Sequence, residues 1–253
     1  MTPLAPLTAD ATGPDSAWRS APGLPVPQYL QSLYWWAYVH PRAVTLFERE
    51  WLVNAILFGN YSRLREAALT ALAAPGGTHI GGRSLQLACV YGNLTQRLCQ
   101  RLAPDARLDV VDVLPVQLRN LAAKLAPDAR VALLHGDASA LTCASASYDQ
   151  VLLFFLLHEM PEAVRRATLA HALRVLKPGG RLVILDYHRP VPWHPLRPLM
   201  HLVFRHLEPH AFDLWRNDVE DFMPAHGQAV TLDKRLYFGG LYQQLTLTRP
   251  STP

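Results

Sequence analysis

The chain has 253 residues, of which half are apolar and 17% are charged, and its formal net charge at pH 7 is +4. This length suits one large domain or one domain with an added cap, and the apolar content excludes a wholly disordered chain. The modest charge is spread along the sequence, so we expect no nucleic-acid partner. No apolar run reaches the length of a membrane-spanning helix. The three cysteines form no CxxC pair, so no zinc knuckle is expected.

Three regions are distinguishable along the chain. Residues 1–27 are rich in proline and poor in apolar core residues, which predicts a disordered tail. Residues 28–75 predict a helical cap, because apolar residues recur at helical spacing from Val44 and again from Leu64. Residues 76–253 form the predicted main domain.

The main domain begins with alternating strand and helix patterns. Its five strand-like segments are SLQLACV, RLDVVDV, RVALLHGDA, YDQVLLFFLL and RLVILDY, the last following the predicted turn KPGG. Helical patterns separate the strands, which favours a parallel sheet with helices on both faces. A Pro- and His-rich insertion follows at 188–212. Two alternating runs around a Gly-Gly pair then predict an antiparallel hairpin at the C-terminus.

This order resembles the class I S-adenosylmethionine-dependent methyltransferase fold. The resemblance rests on LQLACVYGN after the first strand, acidic residues after the second and third strands, and the segments YDQVLLFFLLHEM and ALRVLKPGGRLVILDY. It implies a Rossmann-like α/β fold. We therefore expect a seven-stranded, mostly parallel sheet with a C-terminal antiparallel hairpin and an N-terminal helical cap.

A closer resemblance covers nearly the whole chain from residue 28. The segments YWWAYVHPRAVTLFEREWLVN, ACVYGN, FFLLHE and YFGGLYQ look like the rhodoquinone biosynthesis family RquA. That resemblance implies conversion of ubiquinone to rhodoquinone by replacement of a ring methoxy group with an amino group. It also implies S-adenosylmethionine as nitrogen donor, support by Mn²⁺, and a cytoplasmic enzyme peripherally associated with the inner membrane. The alternative is an ordinary methyltransferase acting on a quinone or another small apolar acceptor.

The loop after the first strand departs from the usual acid-x-Gly-x-Gly-x-Gly pattern. It reads Gln86-x-Ala88-x-Val90-x-Gly92, and Tyr91 adds a phenol beside the cofactor. Glycines at such positions allow the backbone to approach the ligand closely. In methyltransferases the acid helps hold the ammonium group of the donor, and an opposite charge favours the protonated form. We therefore hypothesise that neutral Gln86 leaves the donor amine free to attack, with family drift as the alternative.

Five further residues are predicted to bind the cofactor. Asp112, followed by Val113, stands where a carboxylate accepts both ribose hydroxyls. Asp137 would accept from the adenine amino group, while Ala138 donates its backbone N–H. Phe154 ends the fourth strand beside them. Asp112 as a cap and Asp137 as a strand-end turn residue are the alternatives.

The chemistry is expected at the ends of strands four and five. Strand four leads into His158 and Glu159, and strand five ends at Asp186, Tyr187 and His188. We expect His158, Glu159 and Tyr187 to be catalytic, with His158 or Tyr187 as the base. Glu159, Asp186 and His188 are the expected manganese ligands, placing a Lewis acid near a quinone carbonyl. Helix capping and other structural roles are the alternative for these side chains.

An isoprenoid quinone needs an apolar entrance. We expect Tyr34, Trp35, Tyr38 and Tyr237 to bind the substrate, because aromatic rings stack on a quinone and suit a membrane interface. The segment 197–215 combines apolar, Arg and His side chains and could dip into the headgroup layer. Simple packing of both segments on the domain is the alternative.

Overall fold

The computed structural model describes residues 23–34, 46–74, 76–224 and 230–251. Its helices are α1 (Gln28–Leu33), α2 (Glu50–Ile56), α3 (Tyr61–Leu72), α4 (Leu94–Arg101), α5 (Pro115–Lys124), α6 (Glu162–Val175), α7 (Arg197–His206) and α8 (Asp213–Arg216). Its strands are β1 (Arg83–Leu87), β2 (Arg107–Asp112), β3 (Val131–His135), β4 (Tyr148–Phe154), β5 (Leu176–Tyr187), β6 (Thr231–Tyr237) and β7 (Tyr242–Thr248). Residues 1–22 of the predicted tail lie outside the described residues.

The strands form a seven-stranded sheet in the order β3-β2-β1-β4-β5-β7-β6. Strands β1 to β5 are parallel, and β7 runs antiparallel to both β5 and β6. Gly239 and Gly240 join the last two strands at φ angles of 61° and 83°, a region that favours glycine. The predicted fold is therefore confirmed, including its terminal hairpin.

The KPGG segment is not the free turn predicted from the sequence. It lies within β5, where the pairing with β4 shifts from Tyr148–Leu176 to Gln150–Arg181. Gly179 has a φ of 78°, so the chain can fold out of the ladder and return. A Cβ on Gly180 would lie 2.9 Å from the carbonyl oxygen of Asp149. Glycine is required there by a close approach between strands.

Both faces of the sheet are covered, which explains why its central strands read as continuous apolar runs. Neighbouring residues such as Val110 and Val111 belong to different core clusters, one on each face. Helices α3, α4 and α5 contribute to one cluster and α6 to the other. Full burial of a leucine such as Leu69 or Leu169 contributes roughly 1.5–3 kcal/mol to folding. The helices thus fix the strand ends that carry the site.

The segment after β5 is longer than the expected insertion at 188–212, because short helical turns continue as far as Phe222. Arg165 of α6 fastens this segment to the end of β4. Its fully buried guanidinium donates to the carbonyl oxygens of Leu157, Met160 and His210 at 2.8–2.9 Å. Because these hydrogen bonds reach carbonyl groups on both segments, Arg165 fixes the segment after β5 relative to the end of β4.

Candidate active site

A cavity of about 470 Å³ lies at the carboxyl ends of the parallel strands. Its walls come from the loops after β1, β2, β3 and β4, with further contributions from α1, α2 and α7. Ligands in open α/β sheets bind at this edge. One cavity therefore joins the nucleotide loop to the strand-end residues expected to do chemistry.

The loop after β1 keeps the path of a glycine loop although a glycine is missing. Ala88 has a φ of 68°, in the left-handed region that glycine occupies freely. An L-residue there costs about 1–2 kcal/mol. The Ala88 N–H donates to the carbonyl oxygen of Val111 at 2.8 Å, which helps to hold the strained residue in place. Ala88, Val90 and Tyr91 line the cavity.

Gly92 serves packing and does not line the cavity. Its φ is 79°, and an added Cβ would lie 2.6 Å from the Tyr61 hydroxyl oxygen. That buried hydroxyl accepts the N–H of Leu94, the first residue of α4. The Gly92 N–H in turn donates to Glu48, which also accepts from Lys124. Gly92 therefore lets the cap and the nucleotide loop approach each other closely.

Gln86 is placed differently from the prediction. Its side chain is fully buried and does not line the cavity. The amide Nε2 donates to the carbonyl oxygen of Ala88 at 2.9 Å, and Oε1 accepts from Thr95 Oγ1 at 3.0 Å. The amide ties β1 to the loop and α4, so the hypothesis that its neutrality frees the donor amine is not supported.

Asp112 lies at the end of β2 and lines the cavity. Its Oδ2 accepts the Cys89 N–H and its Oδ1 accepts the Leu114 N–H, both at 2.7 Å. Burial raises the Asp112 pKa to about 6, against the lowering effect of these hydrogen bonds. The Cys89 side chain also hydrogen-bonds this carboxylate, and a carboxylate has further lone pairs with which it can accept a ligand hydroxyl.

Most of the other predicted cofactor residues also meet at the cavity. Val113, Asp137, Ala138 and Phe154 all line it. One Asp137 oxygen accepts from the backbone N–H and the hydroxyl of Ser139, each at 2.7 Å. Thus the strand-end turn role foreseen for Asp137 is real, and its other oxygen stays available.

Tyr29 was missed by the sequence analysis. It projects from α1 into the cavity wall near the carboxylates of Asp112, Asp137 and Glu159, and burial raises its pKa above the usual value. The helical pattern of the cap gave no signal for this position, because α1 is only six residues long.

His158 is held at the cavity wall by Asp186. Its Nδ1 lies 2.8 Å from Asp186 Oδ1, so this nitrogen donates to the carboxylate. Asp186 is fully buried and also accepts the backbone N–H groups of Leu157, His158 and Tyr187. Four donors on one carboxylate fix the ring orientation of His158 and keep a proton on its Nδ1.

The second ring nitrogen of His158 faces two more carboxylates. Nε2 lies 3.8 Å from Glu159 Oε1 and 3.9 Å from Glu208 Oε2. Burial alone would lower the His158 pKa, but the charges of Asp186, Glu208 and Glu159 outweigh it and raise the pKa to about 9. The three carboxylates thus favour the protonated form of His158, which would donate from Nε2, whereas the sequence analysis proposed this residue as a base.

Tyr187 joins the same wall. Its ring packs edge-on against His158 at 4.9 Å between centroids, and burial raises its pKa well above the usual value. A phenol held neutral so firmly is a poor base. Of the residues predicted to be catalytic, His158, Glu159 and Tyr187 all line the cavity.

The expected manganese ligands do not come together. Asp186 uses its carboxylate on the four donors described above, and His188 directs Nδ1 to the carbonyl oxygen of Gly240 at 2.9 Å. Neither residue lines the cavity that Glu159 lines. In the described part of the chain no group of three His, Cys, Asp or Glu side chains could hold a metal ion. The residues present do not fit manganese.

The predicted substrate residues are divided. Tyr34 is buried and lines the cavity. Tyr237 does not, because its hydroxyl donates to Gln244 on the neighbouring strand and its ring lies under Arg63. Trp35 and Tyr38 lie outside the described residues. Tyr237 lies on β6, which two strands, β5 and β7, separate from β4, and this position explains the difference.

Comparison with known proteins agrees with this architecture. A family model for a methyltransferase domain matches residues 85–180. Demethylmenaquinone methyltransferase of Beutenbergia cavernae is 32% identical over 209 residues, which are 77% of this chain and 80% of that protein. This chain belongs to the class I S-adenosylmethionine-dependent methyltransferase family. As a member of that family it binds S-adenosylmethionine.

This methyltransferase-family chain is also similar to a second sequence relative and to a solved structure. The ubiquinone/menaquinone biosynthesis C-methyltransferase UbiE of Dinoroseobacter shibae is 31% identical over 192 residues, covering 74% of this chain and 67% of that one. The structure of human N-acetylserotonin methyltransferase in complex with S-adenosylmethionine matches with a TM-score of 0.58 at 14% identity. It covers 88% of this chain and 63% of that chain, and it supports the fold alone.

Proposed function

We propose that this enzyme converts ubiquinone to rhodoquinone, using S-adenosylmethionine as nitrogen donor to replace a ring methoxy group with an amino group. The sequence resemblance to the RquA family implies this reaction. The names of two relatives, both enzymes of quinone biosynthesis, support a quinone-type substrate. The cavity supports it too, since it joins a nucleotide loop to a largely apolar chamber.

The cofactor would occupy the half of the cavity that the loops after β1, β2 and β3 line. Asp112 would accept the ribose hydroxyls, and Asp137 would accept from the adenine amino group while the Ala138 N–H donates to the ring. Tyr29 would cover the nucleotide. All four residues line the cavity. In this placement the donor amine would face β4, beside the space left for the quinone.

The observation that carries the proposal is the setting of His158. Asp186 fixes Nδ1 at 2.8 Å, and the carboxylates of Glu159 and Glu208 stand on either side of Nε2. An anionic surround favours a proton on Nε2. A donor beside a quinone carbonyl draws electron density from the ring and favours attack by an amine. Methylation of a ring carbon needs the opposite, an electron-rich ring and a base.

The substitution at the ring balances without an oxidant or a reductant. The amine nitrogen forms a bond to the ring carbon that carries the methoxy group, while His158 protonates the carbonyl oxygen that is conjugated with this carbon through the ring double bond. The carbon–oxygen bond of the methoxy group then breaks and methanol leaves with the proton that the amine lost. The ring regains its carbonyl when the proton returns to His158.

Release of the free aminoquinone then needs the bond between the nitrogen and the donor's α-carbon to break. Loss of a proton from the donor's β-carbon, with that electron pair forming a Cα–Cβ double bond and a proton passing to the departing nitrogen, balances this step, and we assign no residue to it. We assign no step to manganese.

The surface around the cavity mouth supports entry of a lipid substrate. Ile56 of α2 and Leu207 beyond α7 line the cavity and are also exposed. Leu199 and Leu202 of α7 extend this apolar surface, and Arg205 adds positive charge at the helix end. An apolar surface with a basic border suits an anionic bilayer. In the described residues no helix is long and apolar enough to cross a membrane.

A direct assay tests the proposal. The enzyme is incubated with ubiquinone and S-adenosylmethionine that carries heavy nitrogen in its amino group, with and without Mn²⁺. The expected product is an aminoquinone, lighter than ubiquinone and containing the heavy nitrogen, as read by mass spectrometry. An unlabelled aminoquinone would overturn S-adenosylmethionine as nitrogen donor, and unchanged ubiquinone would overturn the reaction.

Methylation of a quinone ring is the second candidate, because both curated relatives are methyltransferases of quinone biosynthesis. A parallel assay offers a ring-demethylated quinol with S-adenosylmethionine. A product heavier by one methyl group, with ubiquinone left unchanged, would favour this second function.

A further inference from the structure

Glu208 is a carboxylate that the sequence analysis did not select. It lies two residues after α7 and lines the cavity. Its Oε2 atom is buried and accepts no hydrogen bond, although the side chain as a whole is 22% exposed. Burying a carboxylate oxygen without a donor costs folding free energy. A group kept at such a cost in a cavity marks a functional site.

The backbone holds Glu208 in a fixed position. Its N–H donates to the Val203 carbonyl oxygen at 3.3 Å, and its own carbonyl oxygen accepts the Ala211 N–H at 3.0 Å. Two residues further on, the carbonyl oxygen of His210 accepts a hydrogen bond from Arg165. These hydrogen bonds hold the turn that carries Glu208, so its carboxylate has a fixed position at the cavity.

Glu208 and His158 stand too far apart to satisfy each other. The distance of 3.9 Å between Oε2 and Nε2 exceeds that of a hydrogen bond. Each group thus keeps its capacity to exchange a proton with a molecule placed between or beside them. Glu159 stands at a similar distance from His158, but the buried oxygen without a hydrogen bond belongs to Glu208.

We propose that Glu208 is a catalytic residue that accepts the proton released by the attacking nucleophile. The inference rests on the proposed function and deepens it. As the amine nitrogen bonds to the ring carbon, one N–H proton passes to Glu208 Oε2 while His158 Nε2 protonates the carbonyl oxygen. As the methoxy carbon–oxygen bond breaks, Glu208 returns its proton to the leaving methoxide, giving methanol. The carbonyl proton returns to His158, so both residues end in their starting state.

The test compares three substitutions in the full chain. Glu208→Gln keeps the shape and removes the proton acceptor, and Glu208→Asp keeps the acceptor on a shorter arm. Glu220→Gln is the matched control, since Glu220 also has a buried oxygen without a hydrogen bond but does not line the cavity. We expect Glu208→Gln to lower kcat by about 100-fold or more, with KM little changed. The kcat of Glu208→Asp should lie between those of Glu208→Gln and the wild type, and the kcat of Glu220→Gln should equal that of the wild type.

Thermal unfolding supplies a readout besides turnover. Glu208→Gln should unfold near the wild-type temperature, because the loss of a buried charge that no hydrogen bond satisfies opposes the loss of one of the carboxylates that hold the proton on His158. A variant with wild-type kcat would overturn the assignment, and so would a loss of kcat that is accompanied by a large drop in unfolding temperature, because Glu208 would then act through the fold.

The product of the wild-type reaction separates this inference from the proposed function. If the wild type aminates ubiquinone and Glu208→Gln does so equally fast, Glu208 is not the acceptor and the proposed function stands. If the wild type instead methylates a quinol and Glu208→Gln abolishes that reaction, amino transfer is overturned and Glu208 remains a proton acceptor in the site.

Discussion

Asp186 accepts a hydrogen bond from Nδ1 of His158 across 2.8 Å, at a position where its carboxylate has no contact with solvent. Its carboxylate also accepts the backbone N–H groups of Leu157 and Tyr187 at 2.8 Å each and that of His158 at 3.3 Å. This relationship decides which His158 nitrogen faces the cavity. It also makes the residue pair, drawn from the ends of β4 and β5, the electrostatic centre of the site.

Asp186→Asn should remove the main charge that keeps His158 protonated. The amide cannot accept from Nδ1 with its nitrogen end, and the His158 pKa should fall from about 9 toward its ordinary value of 6.5. Turnover at neutral pH should drop by about 100-fold or more, as expected when a positioned acid is lost. The measurement is an NMR titration of the imidazole beside steady-state kinetics. An unchanged His158 pKa would contradict this account.

The same shift predicts how stability depends on pH. The folded-state pKa of His158 is raised from 6.5 to about 9, so its stabilisation is fully present below about pH 6.5 and is lost as the pH rises through 9. Between these limits the unfolding free energy of the wild type should fall more than that of His158→Gln, by an amount on the order of 3 kcal/mol.

Chemical denaturation of both proteins at a series of pH values measures this difference. Groups that titrate in both proteins contribute equally to the two curves and cancel. Parallel curves between pH 6.5 and 9 would show that the carboxylates around His158 do not hold its proton.

The fold was predictable because the strand and helix periods alternate cleanly, and so was the edge of the sheet at which ligands bind. The positions of individual side chains were harder to predict from the sequence. Gln86 was assigned from its place in a motif, whereas the direction of a strand side chain depends on which face the register gives it. Glu208 and Tyr29 reach the cavity from outside the parallel strands, through tertiary packing that sequence periodicity does not encode. Their positions follow only from how the segment after β5 and the cap fold back.

Asp112→Asn should weaken binding of S-adenosylmethionine by roughly 10- to 100-fold, because the ribose hydroxyls lose a charged acceptor. In the wild type, affinity should rise as the pH increases from 5 to 7. The unliganded Asp112 has a pKa of about 6, and hydroxyl donors favour its ionised form, so binding releases a proton.

Calorimetry across this pH range provides the measurement. Asp109→Asn is the control, since Asp109 is a buried acid on the same strand that binds Arg83 and Tyr148 away from the cavity. It should change stability without changing affinity. Wild-type affinity for Asp112→Asn would remove this residue from the cofactor site.

Gln86→Glu should destabilise the protein and should not tune the donor amine. The new carboxylate would face the Ala88 carbonyl oxygen that now accepts from Nε2, inside a fully buried environment. Loss of that hydrogen bond with an unsatisfied acceptor costs about 1–3 kcal/mol, and a buried charge adds to it. Calorimetric unfolding and cofactor binding should decline together. Tighter cofactor binding at unchanged stability would instead revive a role for the loop's charge.

Replacing Leu199 and Leu202 together by glutamate should release the protein from anionic vesicles, because it places charge on the apolar side of α7 at the cavity mouth. The control replaces Leu232 and Leu236 of β6, which are also exposed but belong to the strand at the far edge of the sheet. Vesicle sedimentation should show loss of binding for the α7 pair only. Turnover of a long-tailed quinone in vesicles should fall with binding, while turnover of a short-tailed quinone in solution stays near the wild-type rate. Equal loss in both pairs would mean that general hydrophobicity, and not α7, attaches the protein to the bilayer.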